Sequence, residues 1–185
     1  MFTFSPLTPD RFGDFEVLFG PRGACAGCWC LFWKLPAADF KHLAGDGTRQ
    51  MQKSLVEQGV VPGLLAYVGD QPVGWIAVEP RGEYPRLARS RVLKPVDEAE
   101  VWSVTCFFTA KTHRRQGVTV ALLREAIKFV AQQGGKIVEG YPVEPKGANA
   151  PAPFVYTGLP GAFLKAGFKE VARFSPTRPI FRYFI

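Results

Sequence analysis

The sequence is poor in histidine and contains no long apolar run, and both absences narrow the classes of protein that it can represent. The two histidines, His42 and His113, stand far apart, and we expect a surface residue and a turn residue rather than ligands or bases. No stretch approaches the roughly 20 apolar residues that a membrane span requires, and the opening MFTFSPLTPDRF lacks a basic segment followed by an apolar one. We therefore expect a protein of the cytoplasm without a membrane partner.

The four cysteines lack the even spacing of a disulfide framework. Three of them crowd into CAGCWC as Cys25, Cys28 and Cys30, and Cys106 lies far along the chain. Because the bridges of small secreted domains usually staple distant loops, reduced thiols are expected here. Cys106 or His42 would have to complete a zinc site, and structural zinc normally uses two separated ligand pairs. We expect no metal.

Length and charge set broad limits. A chain of 185 residues with 47% hydrophobic content can bury one core and is short for two, so residues 1–185 are interpreted as one domain. The net charge of +7 favours anionic ligands or surfaces. It does not separate nucleotide phosphates from nucleic acid or an acidic substrate.

Hydrophobic periodicity predicts an alternation of strands and helices without an internal repeat. The predicted order is strand, two helices, three strands, helix, strand, helix and two strands, which is a mixed α/β sheet with helices on its faces. The first helix starts at Thr8 and ends near Gly20, and a weaker second helix turns Met51 and Leu55 inward. The hairpin turn falls at residues 69–71, whereas residues 21–40 and 81–95 are expected to be irregular. The clearest helix runs from about Gly117 to Gln133, with its inner face listed here: Leu122, Leu123, Ala126, Ile127 and Val130.

The segment RRQGVT, just before that helix, is a candidate anion site. A strand that leads into a helix presents unpaired backbone N–H groups and the positive end of the helix dipole. Gly117 removes the side chain where the backbone would approach a ligand, and Arg114 and Arg115 add charge that complements phosphate. Neither the three glycines of a dinucleotide-binding turn nor the pattern of a Walker A loop is present.

The apolar strand before RRQGVT, the amphipathic helix and the strand after it, and the late AGFKEV together resemble the GCN5-related N-acetyltransferase (GNAT) family. The phosphate loop of this family reads [Q/R]-x-x-G-x-[G/A]. Arg114 and Gly117 match its fixed positions, and Thr119 stands where Gly or Ala is usual. The resemblance is most specific over residues 101–143 and 156–171. It implies a mixed, mostly antiparallel sheet of about seven strands flanked by about four helices, and acetyl-CoA as cosubstrate. CWC, GLLAY, PVGW and EGYPV resemble one subgroup of the family, in which the loop carrying Trp29 and Trp33 would border the acceptor pocket.

The resemblance also implies main-chain roles in binding acetyl-CoA. The pyrophosphate would lie on amides of the loop, and the pantetheine arm would run beside the end of the preceding strand, where one amide would polarise the acetyl carbonyl. The cofactor-binding set is accordingly Phe107, Phe108, Thr109, Arg114, Arg115, Gln116, Gly117, Val118 and Thr119.

Acid and base are less clear from the residues. An acceptor ammonium must lose a proton, which a carboxylate can take, and a phenol can protonate the departing thiolate. Glu139 and Tyr141 alternate on one face of VEGYPV, and Tyr156 precedes the last helix, so these three are the catalytic candidates. Many relatives carry a tyrosine where this chain has Phe163, whose ring cannot donate a proton. A structure would decide between these groups and Glu79.

Three functions remain open. The first is an acetyl-CoA-dependent N-acetyltransferase that acts directly on an amine of a small molecule or peptide, with a homodimer left open. The second is a catalytically weak acyl-CoA-binding sensor module. The third is an RNA- or tRNA-directed acetyltransferase, suggested by the basic stretch RLARSRVLK, although no RNA-binding signature is present and nucleic acid is the least favoured partner.

Overall fold

A seven-stranded β-sheet lies at the centre of the chain, which a computed structural model describes over residues 1–145 and 152–185. The strands follow the sequence as β1 Thr3–Pro6, β2 Gly63–Val68, β3 Gln71–Pro80, β4 Trp102–Thr109, β5 Ile137–Gly140, β6 Lys169–Arg173 and β7 Pro179–Phe184. The helices are α1 Phe12–Phe19, α2 Ala37–Leu43, α3 Asp46–Glu57, α4 Pro85–Ala88, α5 Val118–Gln132 and α6 Pro160–Lys165. The mixed α/β fold expected from the sequence is confirmed.

The strand order β1-β2-β3-β4-β5-β7-β6 contains one parallel pair, β4 with β5. That pairing runs only from Trp102 opposite Val138 to Val104 opposite Gly140. β4 then continues to Thr109 while it remains paired with β3. The two parallel strands therefore separate after Val104. On the side of β4 opposite β3, the backbone groups of residues 105–109 are not paired with β5.

Each face of the sheet buries its own apolar cluster because successive strand side chains point to opposite sides. On one face, α5 and α6 pack over residues such as Ile76 and Val104. On the other face, α1 and the loop after it cover Trp75 and Ala77. We call these the α5 face and the α1 face.

α3 shows a helix that the sequence predicted correctly and a face that it predicted wrongly. Of the two residues expected to face inward, Met51 is 37% exposed and Leu55 is half-buried, whereas the buried positions are Thr48, Gln52 and Val56. The Thr48 hydroxyl donates a hydrogen bond of 2.6 Å to the Gly27 carbonyl. This polar contact with the preceding loop lies on the same buried side as Val56, so the buried side of α3 is centred on Gln52 and not on Met51.

Two segments expected to be irregular contain short helices, α2 and α4. In the second segment Tyr84, Leu87 and Leu93 are buried and form a third small cluster with Tyr141 and Ile180. Such short elements carry too few residues for a helical period to be read.

α5 agrees closely with its prediction. It occupies Val118–Gln132, starts after Gly117 and buries Leu122, Leu123, Ala126 and Val130, whereas Ile127 is half-buried. Across residues 1–145 and 152–185, no helix has both the length and the apolar composition for crossing a bilayer.

Candidate active site

The turn between β4 and α5 presents unused main-chain donors. Gly117 precedes the helix with a left-handed φ of 83°, and no atom lies within 4 Å of the position that a Cβ there would take. No side chain caps the start of α5, so its first amides keep their hydrogen-bonding capacity. The loop therefore offers free N–H groups, the positive end of a 15-residue helix and open space in front of them.

Side chains of the loop brace its backbone. Arg114 Nε donates to the Thr109 carbonyl at 3.3 Å, and Gln116 Nε2 donates to the Thr112 carbonyl at 2.9 Å. Arg115 is exposed and adopts a left-handed φ of 62°. Val118 is buried and Thr119 half-buried at the first turn. The loop is thus fixed by its own polar groups while its outer side stays cationic.

The end of β4 lies where the two parallel strands separate. The Phe107 N–H donates a hydrogen bond of 2.6 Å to the Tyr156 carbonyl, which reaches this edge from the segment before α6. The Thr109 N–H, two residues further on, points to the same side because strand amides alternate. The Phe107 ring packs against Phe163 on the α5 face, whereas the Phe108 ring meets Phe19 on the α1 face.

Glu139 and Tyr141 come together as expected, but in the interior. The Glu139 side chain is 0% exposed, and both of its oxygens are paired: Arg81 Nη1 donates to Oε1 at 2.9 Å and Arg182 Nε donates to Oε2 at 2.7 Å. Arg182 is held in turn by Asp97. A proton on Glu139 would have to displace one of these charge-assisted hydrogen bonds, so the geometry does not favour it as the base.

Tyr141 belongs to the same buried network. Its hydroxyl donates to Glu139 Oε1 at 2.7 Å and lies 2.7 Å from Ser103 Oγ, while Arg81 Nη1 donates to it at 2.7 Å. Burial, followed by the Glu139 charge, raises the pKa of Tyr141. The phenol is fully buried and its hydrogen bonds are satisfied, so the geometry links it to strand packing more than to an acceptor.

Tyr156 stands apart from that pair. Its ring lies 6.3 Å from the Phe32 ring, and burial, followed by the neighbouring Cys106, raises the pKa of its phenol. Phe163, at the position where many relatives carry tyrosine, is completely buried among Phe168, Phe181 and Phe107. Tyr156 reaches the edge of β4 beyond the end of the β5 pairing through its main-chain carbonyl.

Glu79 is the further carboxylate that the sequence left as a candidate beside Glu139. It is buried on β3, where Lys34 Nζ donates to Oε1 at 2.6 Å and the Tyr84 hydroxyl donates to Oε2 at 3.2 Å. Burial raises the pKa of Glu79, and Lys34 opposes that shift. A signal was present, because Glu79 is the only charged residue in the strand QPVGWIAVEP.

The cysteine-rich loop covers the α1 face. Trp29 and Cys30 are buried, and Trp75 Nε1 donates to Cys30 Sγ at 3.0 Å, whereas Cys25 is exposed. The pKa of Cys106 is raised, first by its hydrogen-bond contact with Cys30 and then by burial. This thiol is therefore uncharged at neutral pH. All four cysteines are free. Within the described residues, no three of the Cys, His, Asp and Glu side chains are grouped as metal ligands.

The separated parallel strands and the uncapped glycine loop are the backbone features that the sequence resemblance predicted for an acyltransferase that uses a coenzyme A thioester. The sequence model of the Acetyltransferase (GNAT) family matches residues 29–152, two thirds of the chain. The protein belongs to this family, and acetyl-CoA is its cosubstrate. None of the curated proteins compared with the sequence matches it.

Solved structures share the fold at low sequence identity. The PaiA N-acetyltransferase of Thermoplasma acidophilum in complex with coenzyme A is 12% identical, with a TM-score of 0.56 over 100% of this chain and 99% of that one. A GNAT acetyltransferase of Listeria monocytogenes is 8% identical, with a TM-score of 0.60 over 100% and 95%. One from Streptococcus pneumoniae is 12% identical, with a TM-score of 0.55 over the whole of both chains.

Proposed function

We propose that the protein transfers the acetyl group of acetyl-CoA directly to an amine of a small molecule or peptide. One observation carries the proposal: β4 leaves its parallel partner at Val104 and leads into the uncapped amides around Gly117. An extended thioester can lie along such an edge with its diphosphate on the loop. The CWC segment over the α1 face would then mark a subgroup with its own acceptor.

In this proposal, acetyl-CoA is bound mainly by backbone groups of the protein. Amides from Arg115 to Thr119 hold the diphosphate, Arg114 keeps the loop closed on Thr109, and the edge from Phe107 to Thr109 follows the pantetheine arm. The Phe107 amide would exchange the Tyr156 carbonyl for the acetyl carbonyl, which needs a donor as negative charge develops on its oxygen.

Glu79 is the base in this proposal. The amine nitrogen attacks the thioester carbon, and its proton passes to the carboxylate, directly or through water. Burial raises the pKa of Glu79, which makes the carboxylate a stronger proton acceptor, while Lys34 keeps it ionised. Each oxygen of Glu139 is held by an arginine, whereas Glu79 Oε2 accepts only the longer hydrogen bond from the neutral Tyr84 phenol at 3.2 Å, which is more easily exchanged for a proton.

Tyr156 is the acid. The C–S bond breaks as the tetrahedral intermediate collapses, and the thiolate takes the phenolic proton. Burial raises the pKa of Tyr156, so the phenol is protonated at neutral pH. Its carbonyl already lies at the Phe107 amide, which supports a position beside the thioester sulfur.

The alternative is a sensor that binds acetyl-CoA without turnover. Two observations favour it: Phe163, where the resemblance implies a tyrosine, is a buried phenyl ring, and the Phe107 N–H is already bonded to the Tyr156 carbonyl. Release of free CoA thiol, measured with a panel of amines and peptides, separates the two functions. The transferase releases thiol in proportion to acetylated amine with at least one acceptor, whereas a sensor binds acetyl-CoA by calorimetry and releases none.

A further inference from the structure

We propose that the acceptor carries an anionic group, a carboxylate or a phosphate, and that Arg178 and Arg86 bind it beside Tyr156. This inference rests on the proposed function and names the acceptor class of the same site. The observation behind it is a cluster of unsatisfied donors and unpaired guanidinium groups around one phenol. We call Trp33, Arg86, Tyr156 and Arg178 the arginine cluster.

Two donors of the cluster are enclosed. Arg178 Nε makes no hydrogen bond within the described residues, and the Trp33 Nε1–H faces the Tyr156 phenol without completing a hydrogen bond of normal geometry. A buried donor without a partner is destabilising, more so when it is charged, and a ligand atom or water that accepts its hydrogen bond removes this cost. Against the rise that burial causes, Trp33, as a hydrogen-bond donor, and Arg178, through its charge, both lower the pKa of Tyr156, which is consistent with a position of both close to this phenol.

Arg86 approaches the same phenol from the other side of an aromatic ring. Its guanidinium stacks 4.1 Å from the centre of the Phe32 ring, and Phe32 meets Tyr156 at 6.3 Å. Arg86 Nε donates to the Leu35 carbonyl at 2.6 Å, which fixes the side chain. The stacked orientation leaves the terminal nitrogens of Arg86 available for an oxygen anion.

Other arginines of the protein have carboxylate partners that Arg86 and Arg178 lack among the described residues. Arg81 and Arg182 are each held by the Glu139 carboxylate, whereas neither Arg86 nor Arg178 makes an ion pair within the described part of the chain. Both arginines are half-buried, and burial lowers the pKa of each because an unpaired guanidinium group loses solvation there. A bound carboxylate or phosphate supplies the missing charge, and the planar fork of arginine suits both.

The location of the cluster makes it an acceptor subsite. Tyr156 touches the β4 edge through its carbonyl, where the proposed thioester lies. Arg178 directly precedes β7, and Trp33 packs beside Tyr84 and Ile180 on the α1 face. An amine at the thioester would therefore place a substituent a few bonds away among the arginines.

The test compares matched amines on wild-type protein and on Arg178→Gln. The probes are amino acids, their carboxamides and aminoalkyl phosphates of equal length. We expect the wild type to prefer the anionic probes, and Arg178→Gln to raise KM for them about tenfold or more while kcat changes less. Arg178→Lys should restore part of the preference, and Arg89→Gln, an exposed arginine close to Arg86 in the chain, is the matched control. The preferred probe tells carboxylate from phosphate.

Calorimetric binding of the same probes to the CoA complex separates this inference from the proposed function. If no amine is acetylated but Arg178→Gln still weakens binding of anionic probes, the transferase proposal fails and the anion subsite stands. If neutral amines are acetylated as well as anionic ones, or Arg178→Gln leaves the preference unchanged, the subsite is overturned and the transferase stands.

Discussion

At the scale of single residues, the two buried carboxylates of the sheet serve different purposes. Glu139 has both oxygens bound by arginines, and Glu79 shares its charge with one lysine and one phenol. A carboxylate that two guanidinium groups hold contributes to folding, because removing one partner leaves uncompensated charge in the interior. A carboxylate whose pKa burial raises is a better proton acceptor.

Glu139→Gln is expected to lower the free energy of unfolding by about 3–5 kcal/mol, because Arg81 and Arg182 lose their shared counter-charge. Urea denaturation measures this loss. The matched control is Glu125→Gln, which removes a surface pair with Lys128 and should cost less than about 0.5 kcal/mol. Equal stabilities of the two variants would show that the buried network does not support the fold.

Glu79→Gln is expected to lower kcat by about 100-fold or more, since the amine loses its proton acceptor. In the wild type, kcat should fall as pH decreases through the raised pKa of Glu79, because the protonated acid accepts no proton. The variant should lose this acidic limb. A pH–rate profile that keeps the same limb in Glu79→Gln would assign the base elsewhere.

At the scale of elements, the cysteine-rich loop is held by close contact with the start of α3. The Gly45 N–H donates to the Gly27 carbonyl at 3.0 Å, and a Cβ on Gly27 would collide with the Gly45 backbone. Gly27 also has a left-handed φ of 67°. Glycine is therefore required by space as well as by conformation.

Gly27→Ala should destabilise the protein by about 1–3 kcal/mol more than Gly59→Ala. Gly59 has a comparable φ of 90° but nothing within 4 Å of its Cβ position. Gly59→Ala therefore measures the loss of stability caused by the backbone conformation alone, without a steric clash. Thermal unfolding of the two variants gives the comparison. If both lose the same stability, the loop does not depend on this close approach.

The long helices and strands could be predicted from the sequence. The orientation and burial of particular side chains could not, because contacts between distant segments determine them. The 3.6-residue period of α5 and its glycine start were sufficient to place this helix and the uncapped turn before it. The inward face of α3 depends on the Thr48 contact with Gly27, which lies 21 residues away, and periodicity cannot show it. The burial of Glu139 depends on Arg81 and Arg182, which long loops and strand pairing bring together. No local pattern contains that information.

At the scale of the whole molecule, a ligand that binds only the folded state raises its stability by mass action. Acetyl-CoA at about 100 times its Kd should add about 2.7 kcal/mol, which corresponds to a rise in Tm of roughly 5–10 °C for a chain of this size. Thermal denaturation with and without acetyl-CoA measures this rise. RNA at the same concentration and physiological salt should give none. A rise with RNA that disappears steeply with salt would instead favour the nucleic acid as partner.

The central claim is that the amides around Gly117 hold the diphosphate of acetyl-CoA, and calorimetric binding of acetyl-CoA to Gly117→Asp tests it most directly. Gly134→Asp is the matched control, because Gly134 follows the other end of α5 with a similar φ of 79° and equally open space. We predict that Gly117→Asp abolishes binding, since a carboxylate would meet the diphosphate, while Gly134→Asp and Cys28→Ser bind like the wild type. Normal binding of acetyl-CoA by a folded Gly117→Asp variant would contradict the account.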